Sequence, residues 1–216
     1  MTFRSSLLWG CAASLLIPIA GIAQATAQAA SFCPSCVACA GADAPARTVH
    51  VKIYNGARVR QPEIDALVEV ANTIWQPYAV SLEPAAPAAA VAVVIDPRGD
   101  ASSGRVVLGD TLFDAGHATP YIRLWRGAAE AIAEATPIRG IPFTLLPFEQ
   151  RDRIMGRMLG VALAHEIGHY LLDSRQHSER GLLQANISLR DTDEANLPNL
   201  GLTGGQQLEI CAARRK

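Results

Sequence analysis

The chain has 216 residues, of which half are hydrophobic, and a formal net charge of −1 at neutral pH. Such a length suits one domain built around a single hydrophobic core. The near-neutral charge, with scattered arginines, excludes the broad basic surface that nucleic-acid binding requires. We therefore expect no nucleic-acid partner.

Residues 1–29 have the features of a secretory signal peptide. Arg4 gives a short basic start, and an apolar run follows from Leu7 to Ile22. Either Ala25-Thr26-Ala27 or Ala27-Gln28-Ala29 then supplies a small-x-small cleavage site. Such a segment is cleaved on export, and no other run of similar length is apolar throughout. The mature protein is expected to be secreted or periplasmic, with no membrane contact after cleavage.

Residues 30–47 are predicted to be a cysteine-rich segment and linker. Once Cys11 leaves with the signal, an even number of cysteines remains: Cys33, Cys36, Cys39 and Cys211. In an oxidising compartment two disulfides are expected, with their pairing open. The Cys33–Cys36 pair also allows an exported thiol-disulfide protein, although the strand-CxxC-helix context of that class is missing.

The pattern from residue 48 onward predicts an α+β domain extending to residue 216. Alternation at 48–54 predicts a half-buried strand, and Pro62 opens an amphipathic helix that ends at Trp75. Further strands are predicted at 80–82, 91–95, 105–108 and 121–125, and helices at 128–135 and 151–172.

The last of these helices contains His165-Glu166-Ile167-Gly168-His169, an HExxH sequence. Residues four apart share one helix face, so both imidazoles can bind one metal ion. A glutamate beside them can reach a metal-bound water without being a ligand. Because a Glu and two His are costly to bury without a partner, the sequence predicts Zn²⁺, with His165 and His169 as ligands and Glu166 as general base.

A catalytic zinc usually takes three protein ligands and leaves a fourth position open. His177 is the expected third ligand, eight residues after His169. Asp173 and Ser174 between them are poor helix-interior residues, which suits a chain that turns back towards the metal. His50 and His117 are not expected to touch it.

This stretch resembles the metzincin branch of the zincin metalloproteases, whose pattern is HExxHxxGxxH followed by a Met-containing turn beneath the zinc. Here the spacing between the second and third His is eight instead of six, position 172 is Leu instead of Gly, and Leu183 stands where the family has Met. Leucine can still form the apolar floor. The resemblance implies a metzincin-like fold with a twisted mixed β-sheet, a long active-site helix and a small C-terminal subdomain.

The resemblance also implies a function: a secreted zinc metallopeptidase in which Glu166 takes a proton from water and passes it to the leaving amine. The peptide substrate would pair with a free strand edge, for which residues 104–109 are the candidate. Tyr170 and Arg175 are candidate transition-state donors.

Two alternatives to this site and function stay open. In the thermolysin-like zincins the third ligand is a downstream Glu, a position that Glu194 would fill. A catalytically silent protein of the same fold could instead bind a peptide without cutting it, but such a binder needs no base at Glu166.

Overall fold

The computed structural model describes residues 47–84, 91–99, 107–186 and 188–213. The predicted signal peptide at 1–29 lies outside these residues, as do Cys33, Cys36 and Cys39 of the predicted linker. The signal and the disulfide pairing therefore stay predictions. Among the helices that the structure describes, none has the length and apolar character needed to cross a membrane.

Within these residues the chain forms five strands and four α-helices, in the α+β class that the sequence predicts. The strands are β1 (Arg47–Asn55), β2 (Val80–Pro84), β3 (Val91–Asp96), β4 (Gly109–Asp114) and β5 (His117–Trp125). The helices are α1 (Gln61–Trp75), α2 (Arg126–Ala135), α3 (Phe148–Leu172) and α4 (Gly204–Ala213).

The strands form one mixed sheet in the order β2-β1-β3-β5-β4. The pairs β1–β2, β1–β3 and β3–β5 are parallel, whereas β4 and β5 form an antiparallel hairpin. β4 pairs with no other described strand, so it forms one edge of the sheet. Helix α3 packs against β4 and β5 as well as α1, which brings the predicted zinc-binding helix to this edge.

The structure describes only residues 107–109 of the predicted substrate-binding edge, and its edge strand lies further along the chain. A strand was expected at 105–108 and a substrate-binding edge at 104–109, but the edge strand begins only at Gly109 and ends at Asp114. Residues 104–106 lie outside the described part of the chain. Asp110 faces Arg123 on β5 and is bonded to it by two hydrogen bonds of 3.0 and 2.7 Å. This cross-strand ion pair lets an acidic residue, usually depleted in strands, occupy the edge.

Helices α1 and α3 approach closely because α3 carries glycine where the helices cross. A Cβ at Gly156 would lie 2.7 Å from the carbonyl oxygen of Glu63, and one at Gly160 would lie 2.7 Å from that of Leu67. Backbone atoms cannot yield as a flexible side chain does. The close approach allows Trp75 Nε1 to donate a 3.1 Å hydrogen bond to the carbonyl of Ala164, next to the HExxH sequence.

The segment after α3 completes the same core instead of forming a separate compact unit. It contributes apolar side chains that are at least 94% buried: Leu182, Leu183, Leu197, Leu200, Leu202 and Ile210. Backbone hydrogen bonds hold the segment in place, with Leu182 N–H donating to Gly201 O at 3.0 Å. The Tyr78 hydroxyl accepts from Leu202 N–H at 2.7 Å. The expected small C-terminal subdomain is therefore a layer of turns and one short helix on the common core.

Candidate metal centre

Three histidines meet at the edge of the sheet. His165 and His169 lie one turn apart on α3 and are buried, whereas His177 is exposed in the loop that follows the helix. One ring nitrogen from each lies within 4.8 Å of those of the other two. The structure thus brings together the three residues that the sequence predicts as ligands, in a group able to hold a metal ion.

Backbone carbonyls set the orientation of the two buried rings. His165 Nδ1 lies 2.7 Å from the carbonyl oxygen of Leu182, and His169 Nδ1 lies 2.7 Å from that of Ser174. A carbonyl can only accept, so each Nδ1 carries the proton. In a neutral ring the Nε2 atom then presents a bare lone pair, which is the form that binds a metal.

The Nε2 atoms of the two buried histidines lie close together. His165 Nε2 and His169 Nε2 are 2.9 Å apart, a distance at which two acceptors repel unless a positive charge lies between or beside them. A proton is a poor candidate for that charge, because burial and the neighbouring His169 lower the pKa of His165 to about 3. Burial also lowers the pKa of His169. The donor set of neutral imidazoles therefore fits a divalent cation such as zinc.

Glu166 lies beside the histidines without joining them. Its side chain is buried, and Oε2 accepts a 2.7 Å hydrogen bond from the hydroxyl of Thr111 on β4. The same hydroxyl lies 3.0 Å from the backbone carbonyl of Glu166. Burial raises the pKa of Glu166 to about 7, while the bond from Thr111 opposes the shift. The carboxyl group is thus held in place by Thr111 on the neighbouring strand.

The edge strand packs tightly against this carboxylate. A Cβ at Gly109 would lie 3.0 Å from Glu166 Cγ and 3.1 Å from the carbonyl oxygen of Arg123. Only glycine lets the start of β4 approach so closely. Neither Gly109 nor Thr111 is identifiable from sequence, because their roles arise from the contact between a strand and a helix distant in the chain.

Leu183 packs against α3 at Gly168. This side chain is buried, and its Cδ2 atom would lie 2.7 Å from a Cβ placed at Gly168. Leu183 is thus buried against α3 at Gly168, next to His169. Gly181 starts the turn with φ +84, and a Cβ there would overlap the carbonyl oxygen of Gly201.

Asp173 ends α3 and joins it to the β4–β5 hairpin. Its backbone is left-handed, with φ +49, and the chain then reverses to expose the Ser174 carbonyl to His169. The carboxylate accepts from Ala118 N–H at 2.6 Å and contacts His117 Nδ1 at 2.6 Å. The longer loop before His177 is thus anchored at its first residue.

The histidines and Glu166 line an open cleft of about 630 Å³. Val161 and Ala162 form part of its apolar wall, and Arg175 also lines it. Tyr170, the other candidate donor, does not line the cleft but packs against the core. Glu194 is exposed and is not part of the metal-binding group found among the described residues.

His50 and His117 are likewise absent from this group. Comparisons of the chain with models of protein families, with curated proteins and with solved structures find no match. The function is therefore inferred from the residues of the site.

Proposed function

We propose that the protein is a zinc-dependent peptidase with a metzincin-like fold, in which His165, His169 and His177 bind the metal. The observation that carries this proposal is the 2.9 Å distance between His165 Nε2 and His169 Nε2. In both rings Nδ1 donates a hydrogen bond to a backbone carbonyl, which leaves Nε2 without a proton. Two buried acceptors in this arrangement call for a cation. Neutral imidazoles with carbonyl partners behind them are typical zinc ligands.

Zinc in such a site supplies a Lewis acid that polarises a peptide carbonyl and acidifies water. Glu166 provides the base. Its carboxylate lies beside the ligands, is fixed by Thr111, and in this proposal takes a proton from water and delivers it to the leaving amine. A merely structural or metal-storing protein has no need of a buried carboxylate at this position, and burying one is unfavourable.

The edge of the sheet favours an extended peptide as substrate. Among the described strands β4 pairs only with β5, and in this proposal an added strand pairs with its other side. Residues from Gly109 to Phe113 line the same cleft as the histidines. A peptide paired with β4 would therefore pass the proposed metal and Glu166. In this proposal the substrate-binding edge is β4, in place of residues 104–109.

The test compares wild type with Glu166→Gln in hydrolysis of a mixed peptide library, with zinc content measured on the same samples. Removing the base while keeping the shape should lower kcat by about 10²- to 10⁴-fold and leave zinc bound. Glu194→Ala is the control and should change neither quantity. Full activity in Glu166→Gln would contradict the mechanism, and a zinc-loaded wild type that cleaves no peptide would favour a binding protein.

A further inference from the structure

Arg175 is a charged side chain in the cleft with no assigned partner. It lies two residues before His177, is exposed, and its guanidinium carbon sits 4.6 Å from the centre of the Phe113 ring. Among the residues that the structure describes, it makes no ion pair or hydrogen bond through its side chain. A guanidinium stacked on an aromatic face is held in place while its N–H groups remain available at the edges.

The two carboxylates that line the cleft already have hydrogen-bond partners. Asp110 is bound by Arg123 through two hydrogen bonds, and Glu166 accepts from Thr111. Arg175 is thus the one charged side chain without a polar partner among the described residues that line the cleft. A planar guanidinium of this kind suits two parallel hydrogen bonds to a carboxylate.

The position of Arg175 along β4 indicates which part of a substrate it would meet. Thr111 contacts Glu166, and Phe113, which supports Arg175, lies two residues further along the strand. The pairing with β5 is irregular between Thr111 and Phe113, and two residues of extended strand correspond to about 6.6 Å. A peptide added antiparallel to β4 runs in the opposite direction, so the residues on the amino side of the reacting bond lie towards Phe113.

We infer that the cleft selects peptides with an Asp or Glu side chain two to three residues before the cleaved bond, and that Arg175 binds this carboxylate. The inference rests on the proposed peptidase function and adds a substrate class to it. Arg175 acts here in binding and specificity. This role differs from that of a transition-state donor, which would affect all peptides alike.

The experiment uses the full-length zinc-loaded protein and pairs of peptides that differ only by Glu or Gln at one position before the cut. Wild type should prefer the Glu peptide by about 10-fold or more in kcat/KM, mainly through KM. Arg175→Gln should abolish this preference, so that the kcat/KM for the Glu peptide falls to that for the Gln peptide. Arg175→Glu should favour a Lys peptide. Arg180→Gln, which removes an exposed arginine outside the cleft, should retain the wild-type preference.

Three results would overturn the inference. Wild-type cleavage without any acidic preference would refute it and leave the peptidase function standing. An equal loss of kcat on Glu and Gln peptides in Arg175→Gln would show that Arg175 acts on the reaction itself. Failure of zinc-loaded wild type to cleave any peptide would refute the inference together with the proposed function.

Discussion

The orientation of the buried histidines depends on two carbonyls from the loop after α3. Leu182 O holds His165, and Ser174 O holds His169. The histidines and Glu166 are predictable from the sequence because helical spacing alone places them together. Their carbonyl partners are not, since every residue has a carbonyl and only the folded path of the loop selects these two.

Gly181→Ala tests whether the backbone carbonyl of Leu182 orients His165 for metal binding. Alanine disfavours the φ of +84 found here, and its Cβ would overlap the carbonyl oxygen of Gly201, so the Leu182 carbonyl should shift away from His165. Loss of such a partner typically weakens metal binding by about 10- to 100-fold. Competition with a chelator measures the affinity. Gly205→Ala, where no atom lies within 4 Å of the new Cβ, should bind zinc as wild type does.

The contact between His117 and Asp173, which joins the β4–β5 hairpin to the end of α3, should make the stability of the protein depend on pH. Asp173 raises the pKa of His117, and the imidazole in turn lowers the pKa of Asp173. Since the folded pKa of His117 is raised, its stabilising contribution is complete below the unfolded value of about 6.5 and disappears as pH rises through the folded pKa. Since the folded pKa of Asp173 is lowered, the stabilising contribution of Asp173 is lost as pH falls through that folded pKa.

We expect an NMR titration to place the pKa of His117 above its ordinary value. In Asp173→Asn the pKa of His117 should return to that ordinary value. The Tm difference between wild type and His117→Gln should be largest between about pH 4 and pH 6.5 and should vanish at higher pH. An unshifted His117 pKa would show that the contact does not persist in solution.

At the scale of elements, most strands and helices follow from the sequence. Helix α1 ends at Trp75, as its amphipathic pattern predicts, and β3 coincides with the apolar run that starts at Val91. β4 was missed because Asp110 and Asp114 resemble turn residues, and because Arg123, which pairs with Asp110, belongs to a different strand. Local patterns cannot reveal a stabilising partner that only pairing between strands supplies.

The crossing of α1 and α3 makes a prediction about stability. Gly160→Ala places a Cβ 2.7 Å from the carbonyl oxygen of Leu67 and 2.8 Å from Val70 Cβ, so the helices must separate. Overpacking of this kind costs about 1–3 kcal/mol, despite the higher helix propensity of alanine. Chemical denaturation should show a lower free energy of unfolding. The matched change Gly205→Ala on α4 should be neutral or slightly stabilising, and equal effects of the two would argue against close helix packing here.

For the whole molecule, the sheet order decides where the chemistry lies. The sequence predicts an α+β domain and a metal site of three histidines. It does not predict that β3 and β5 pair in parallel, or that β4 lies beyond β5 at the edge of the sheet. That arrangement brings Thr111 to Glu166 and Phe113 to Arg175. Such contacts join residues about 55 positions or more apart, which no short sequence pattern encodes.

The central claim is that the three histidines bind zinc, and elemental analysis of the full-length protein, purified without a histidine tag, tests it most directly. Wild type, His177→Ala and Glu194→Ala would be compared after zinc supplementation and dialysis. We expect one zinc per chain in wild type and Glu194→Ala, and a clear loss in His177→Ala. Wild type without zinc, or zinc retained in His177→Ala but lost in Glu194→Ala, would contradict the proposed site.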